Sequence, residues 1–217
     1  EWPHGCSFSP DDKFLYVTAQ YGNFIYKITI ADPLDPQFEK VVLDTSKTPS
    51  VSSKYDPHEI RFTPDGSVYF VTCQKSNEVR AFSAANDSLI KTISTGVFPQ
   101  ELDFSSSTNY LFVTCPEDNQ NFPDKIGSVA IIDYKKMALV KLIHTGFQPH
   151  GLAIDDENGK VYIANRNVSS DGPASHHTGA CGGKNGYITI IDMATLELVD
   201  EYSAEVSVDP YSVAFKK

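Results

Sequence analysis

The strongest constraint on the fold is that the chain repeats itself. The stretches "WPHGCSFSPDDKFLYV" at 2–17, "DPHEIRFTPDGSVYFV" at 56–71, "FPQELDFSSSTNYLFV" at 98–113 and "QPHGLAIDDENGKVYI" at 148–163 share one plan. A proline and a polar residue come first, then an apolar alternation, a turn, and a run dense in Val, Tyr and Phe. With the proline as marker, units begin at Pro3, Pro57, Pro99, Pro149 and Pro210, at spacings of 54, 42, 50 and 61 residues.

The pattern inside a unit has period two. Ile60 and Phe62, or Leu102 and Phe104, alternate as a half-buried strand does, and a turn rich in Pro, Asp, Gly or Ser follows. We label this strand A. The runs "FLYVT", "VYFVT", "YLFVT" and "VYIAN" form strand B. "FIYKITI", "EVRAFS", "SVAIIDY" and "YITIIDM" form strand C, and "KVVLD", "LIKTIST", "LVKLIHT" and "LVDEYS" form the outer strand D. Helical periodicity is absent, which sets aside helical solenoids of similar period. Four strands recurring every ~40–50 residues predict an all-β fold, a β-propeller of four-stranded antiparallel blades. The blades fall at approximately 3–56, 57–98, 99–148 and 149–209, with the first strand of a fifth at 210–217. Because closure removes open sheet edges, the expectation is one propeller domain that is a segment of a larger one. A four-bladed ring with a tail, or completion by a second chain in a larger complex, are the other arrangements.

The succession of Pro-His, Ser-Pro-Asp-Asp turn, "LYVT" and "IID" resembles the YVTN-type repeat of bacterial and archaeal β-propellers, over essentially the whole chain. The resemblance implies seven blades and a periplasmic or cell-surface location. Propellers of similar repeat style include lactonase-like enzymes, surface-layer proteins, and the haem- and copper-carrying propellers of nitrite and nitrous-oxide reductases. Such a repeat specifies fold far more tightly than function.

At 217 residues and 41% hydrophobic the chain can bury a sizeable core. A formal charge of −10, with no cluster of Lys and Arg, disfavours nucleic acid as a partner, and none is expected. No apolar run is long enough for a membrane span, and Glu1 follows no signal-like stretch, so the chain reads as processed or trimmed. Cys73 and Cys115 occupy the same place in successive repeats, too far apart to bridge, and read as buried free thiols. Asn86-Asp87-Ser88 and Asn167-Val168-Ser169 match the glycosylation sequon, a pattern short enough to arise by chance. No nucleophile elbow, phosphate-binding loop or Cys-x-x-Cys-His haem motif occurs.

In a blade the D-to-A connection and the B-to-C loop emerge on one face. His4, His58, Gln100, His150 and Tyr211 each follow a marker proline and enter strand A there, beside the central channel. The long loop Arg166 to Gly186, with His176, His177 and Cys181, emerges on the same face, joined by the shorter "PEDNQNFPDKIG". His144, in the outer strand, is the exception and reads as a surface residue. His4, His58, His150, His176, His177 and Cys181 have the ligand types for copper or zinc. The competing reading is architectural, with each polar side chain hydrogen-bonding a neighbouring blade, and Gln100 and Tyr211 favour it. On strand A, Arg61 is expected to pair with Glu101 or Asp103. Glu59 is the one candidate general base.

Three functions follow as expectations. The first is an extracytoplasmic binding or scaffold module whose channel face engages a protein, glycan or small-molecule ligand through the 166–186 loop, with His4, His58, Gln100, His150, Tyr211 and Arg166 as ligand-binding residues. The second is a copper- or zinc-dependent oxidoreductase or metal-handling propeller. The third, implied by the resemblance, is a lactonase-like hydrolase using Glu59 and a channel histidine.

Overall fold

The structure is a computed structural model and describes residues 2–32, 34–46, 48–51, 54–123, 126–167, 185–199 and 203–216. Among these residues every regular element is a strand, and no helix is long and apolar enough to cross a membrane. The chain divides into two compact units, Glu1–Ser94 and Thr95–Lys217, here called unit 1 and unit 2.

Unit 1 holds two four-stranded antiparallel sheets. The first is β1 (Trp2–Phe8), β2 (Phe14–Gln20), β3 (Phe24–Thr29) and β4 (Gln37–Val42), and the second β5 (Pro57–Phe62), β6 (Val68–Cys73), β7 (Glu78–Ser83) and β8 (Leu89–Ser94). Each sheet is ordered as its sequence runs, so A-to-B-to-C-to-D is the observed meander. Alternation decides what lies between the sheets: Tyr16 of β2 turns toward β5 and β6, where it meets Phe62 and Tyr69 at centroid distances of 5.3 and 5.2 Å. Tyr69 in turn stacks on Phe82. The two tyrosine hydroxyls converge on one acceptor, Asp87 Oδ1, at 3.0 and 3.1 Å, and Lys27 Nζ joins the other oxygen at 2.7 Å. A half-buried carboxylate in the β7–β8 turn that accepts three donors ties β2 and β3 of the first sheet to the second.

Unit 2 holds β9 (Leu102–Phe104), β10 (Tyr110–Cys115), β11 (Ser128–Asp133) and β12 (Ala138–Ile143). Its second sheet is β13 (Phe147–Asp155), β14 (Lys160–Asn167), β15 (Asn185–Asp192), β16 (Glu197–Leu198) and β17 (Ala204–Val208). All six residues of β11 are buried, as expected of an inner strand covered on both faces. The fourth outer strand is split: β16 and β17 both pair with β15. At the A-to-B turns, Asp156 accepts from the Ser105, Ser106 and Ser107 hydroxyls at 2.6, 2.5 and 2.9 Å. Burial alone would raise this carboxyl, but the serine hydrogen bonds outweigh it and hold it far below the usual range.

Residues 210–216, expected as a fifth strand A, pair with no strand. The segment lies against β13, where a Cβ on Gly151 would come within 2.5 Å of the Ser212 Cα.

Candidate functional site

The marker proline proves to be the corner of a repeated backbone device. The residue before it takes a left-handed conformation at Asp56, Phe98, Gln148 and Asp209, with φ of 57, 63, 53 and 52°. Just after it, the A–B ladder slips between Pro3 and Cys6, between Pro57 and Ile60, and between Pro149 and Leu152. Each slip is a β-bulge, which places an extra residue on strand A and re-aims the side chains it carries. His4, His58 and His150 are the residues in that position.

A bulge leaves an amide outside the ladder, and strand B supplies its partner: Thr18 Oγ1 accepts from Gly5 N at 2.8 Å and Thr72 Oγ1 from Glu59 N at 2.9 Å. Thr114 Oγ1 accepts from Glu101 N at 3.2 Å in the same place of the repeat, where the β9–β10 register shows no slip. The threonine of each "VT" pair therefore satisfies a backbone donor next to the histidine or glutamine. In β14 the equivalent residue is Ala164.

In unit 1 the device brings His4 and His58 together, ring centroids 3.8 Å apart and planes tilted by 40°. His58 is fully buried. Glu59, also buried, accepts from Arg61 at 2.5 Å and from the Ile60 amide at 3.0 Å. Arg61 additionally donates to the Cys6 carbonyl at 3.2 Å. The carboxylate named as a candidate base thus has a cation from its own strand.

In unit 2, Gln100 lies just before β9, its amide bonded to the Thr114 carbonyl. His150 lies in β13 against Tyr211, centroids 3.8 Å apart, and its Nδ1 is 2.9 Å from the Tyr211 carbonyl oxygen. A carbonyl only accepts, so Nδ1 donates the proton of this bond, and the neutral ring then keeps its lone pair on Nε2, where it can accept a proton or ligate a metal. Arg166, near the end of β14, is gripped by Asp209 through Nε at 2.6 Å and Nη2 at 3.2 Å, with its guanidinium 5.6 Å from the Tyr211 ring. The structure therefore unites three of the expected residues, His150, Tyr211 and Arg166. His144 is half-buried and bonded to the Gly127 carbonyl at 3.0 Å, deeper than a surface residue. Of the copper or zinc candidates, His176, His177 and Cys181 lie outside the described residues.

One group at this edge was not singled out from sequence. Glu117, in the B-to-C loop after β10, accepts from Gln148 Nε2 at 3.3 Å, and Gln148 Oε1 accepts from Asn167 Nδ2. Burial pushes the Glu117 carboxyl up to about 7, against the Gln148 hydrogen bond and the charge of Arg166. The available signals were its place in "PEDNQNFPDKIG" and the position of Gln148 directly before a marker proline. Cys73 and Cys115 are buried free thiols, and burial raises both, Cys115 to about 12.

The sheets, their order and their connections are those of a β-propeller. Solved structures agree on the fold. Hydrazine synthase of Kuenenia stuttgartiensis aligns at 19% identity over 94% of this chain and 49% of its own, with a TM-score of 0.71. A putative 6-phosphogluconolactonase from Bacteroides uniformis aligns at 19% identity over 95% and 55%, TM-score 0.68. Dihydro-heme d1 dehydrogenase NirN, in complex with DHE, aligns at 12% identity over 95% and 38%, TM-score 0.64. The chain thus spans roughly half or less of the length of these structures. No protein-family model and no curated protein matches the sequence.

Proposed function

We propose that this chain belongs to a periplasmic or cell-surface propeller that binds a small, polyhydroxylated ligand at the unit 2 edge formed by D-to-A connections and B-to-C loops. The observation that carries the reading is the run Glu117, Gln148, Asn167, together with Arg166 fixed by Asp209. Amides, a carboxyl near its protonation balance and an oriented guanidinium offer donors and acceptors at close spacing. That mixture suits hydroxyl groups better than an apolar or polyanionic partner. Calorimetric titration with D-gluconate tests it. Saturable heat that weakens about tenfold or more in Asn167→Ala supports the site, each tenfold being ~1.4 kcal/mol. Absence of heat, or equal affinity in the variant, removes it.

A second reading rests on the Glu117 carboxyl. A base poised near 7 suits activation of water, and two of the similar structures are described as putative 6-phosphogluconolactonases. Water would attack the lactone carbonyl as its proton passes to Glu117, and the ring C–O bond would then break as Glu117 returns that proton to the leaving ring oxygen, giving the open hydroxy acid. Base uptake during hydrolysis of D-glucono-1,5-lactone at pH 7 tests this. A rate above the spontaneous one that vanishes in Glu117→Gln supports it, and a rate equal to the blank ends it.

A further inference from the structure

Unit 1 carries an aromatic corner where β1 and β2 meet the B-to-C turns. Trp2, the only tryptophan in the chain, is 60% exposed, and Tyr21 is 40% exposed. Their rings stand edge to face, centroids 6.0 Å apart and planes at 82°, so they form two walls of a right angle. Tyr21 is held in the left-handed region, φ 64°, while its amide donates to Asp56 Oδ1 at 2.7 Å. A tyrosine in that conformation is uncommon and keeps its place only when the surroundings fix it. Lys75, from the turn after β6, sets its Nζ 5.0 Å from the Tyr21 ring centroid.

A second, independent observation lies beside these rings. The β1–β2 register pairs Trp2 with Gln20, which puts the two side chains next to each other on one face of the sheet. Gln20 is 2% exposed, and its Nε2 reaches no acceptor among the described residues. A buried amide donor left unsatisfied carries a desolvation penalty that an incoming oxygen would relieve.

We infer that this corner binds a neutral saccharide. A pyranose presents a flat C–H face that packs on one of these two rings with its edge against the other, and its rim of hydroxyl oxygens accepts from Gln20 Nε2 and Lys75 Nζ. A purely apolar partner would bring no acceptor to Gln20. An acidic glycan would meet a chain whose formal charge is −10. The inference concerns unit 1 and stands apart from the gluconate and lactone readings, which are followed by heat and base uptake.

The single tryptophan makes the test direct. Trp2 emission is followed while cellotetraose, maltotetraose and xylotetraose are added to the full chain, each up to about 10 mM. The expected result is a saturable shift with at least one of them. That affinity falls about fivefold to tenfold in Gln20→Ala, and likewise in Tyr21→Ala. Lys75→Ala gives a weaker loss, and Trp2→Phe, followed by calorimetry, removes most of the heat. No response to any of the three sugars overturns the inference, as does an equal response in Gln20→Ala and Tyr21→Ala. A response to trigalacturonate alone overturns the assignment to neutral sugars.

Discussion

Thr18 fastens the backbone of His58 to the neighbouring sheet: its Oγ1 donates to the His58 carbonyl oxygen at 2.8 Å while accepting the Gly5 amide, also at 2.8 Å. The hydroxyl serves two bulges at once and is fully buried. Thr18→Val keeps the shape and removes both bonds, leaving a donor and an acceptor stranded. We expect a loss of roughly 2–3 kcal/mol in urea unfolding. A loss below about 0.5 kcal/mol would show that the clasp is not needed.

Gly5 sits at the other end of the same contact. A Cβ there would meet the His58 carbonyl oxygen at 2.5 Å and the Glu59 Cα at 2.8 Å, both backbone atoms that cannot step aside. Gly5→Ala should therefore cost roughly 2–4 kcal/mol and disturb the His4–His58 stacking. Gly159→Ala is the contrasting case. Among the described residues its Cβ meets nothing within 4 Å, and the left-handed φ of 65° is what opposes it, so the loss should stay near 1–2 kcal/mol. Thermal unfolding of the two variants, measured side by side, checks the order.

Glu117 sets a pH dependence. The unfolded chain releases this proton near the ordinary value of 4.5 and the folded chain near about 7, because burial opposes the charge. Through that window the folded state binds more protons, so this group's contribution to stability falls as pH rises and levels off above it. Glu117→Gln should match the parent protein near pH 4.5 and exceed it at pH 8 by roughly 1–2 kcal/mol, after discounting the exposed part of the side chain. Parallel unfolding curves at both pH values test the sign. A variant less stable at pH 8 contradicts it.

Thiol chemistry should separate the cysteines. Cys6 is exposed, whereas Cys73 and Cys115 are buried and their thiols are raised by that burial. In a Cys181→Ala background, Ellman's reagent should titrate one thiol quickly and the remaining two only on unfolding. Fast reaction of all three would place Cys73 or Cys115 at the surface.

The β architecture was legible because strands report themselves through period-two alternation, and turns through Pro, Asp and Gly. "FLYVT" and "SVAIID" are read directly as inner strands. The placement of His4, His58 and His150 after a marker proline was also legible. The bulge was not: it is a displacement of one ladder against another, and neither strand announces it alone. The role of each "VT" threonine was hidden for the same reason, since Thr18, Thr72 and Thr114 act on amides thirteen residues away. Glu117 escaped notice because its environment is assembled from Gln148 and Arg166, which no local pattern connects to it.

The slip between Pro57 and Ile60 constrains how this protein can vary. Removing one residue there would straighten the strand and send His58 through to the opposite side of the sheet, inverting everything upstream of it. Substitution can change the chemistry at these corners, but insertion or deletion cannot be absorbed. Variants that differ in chain length should accordingly place the difference in the outer connections and leave the count around each marker proline untouched.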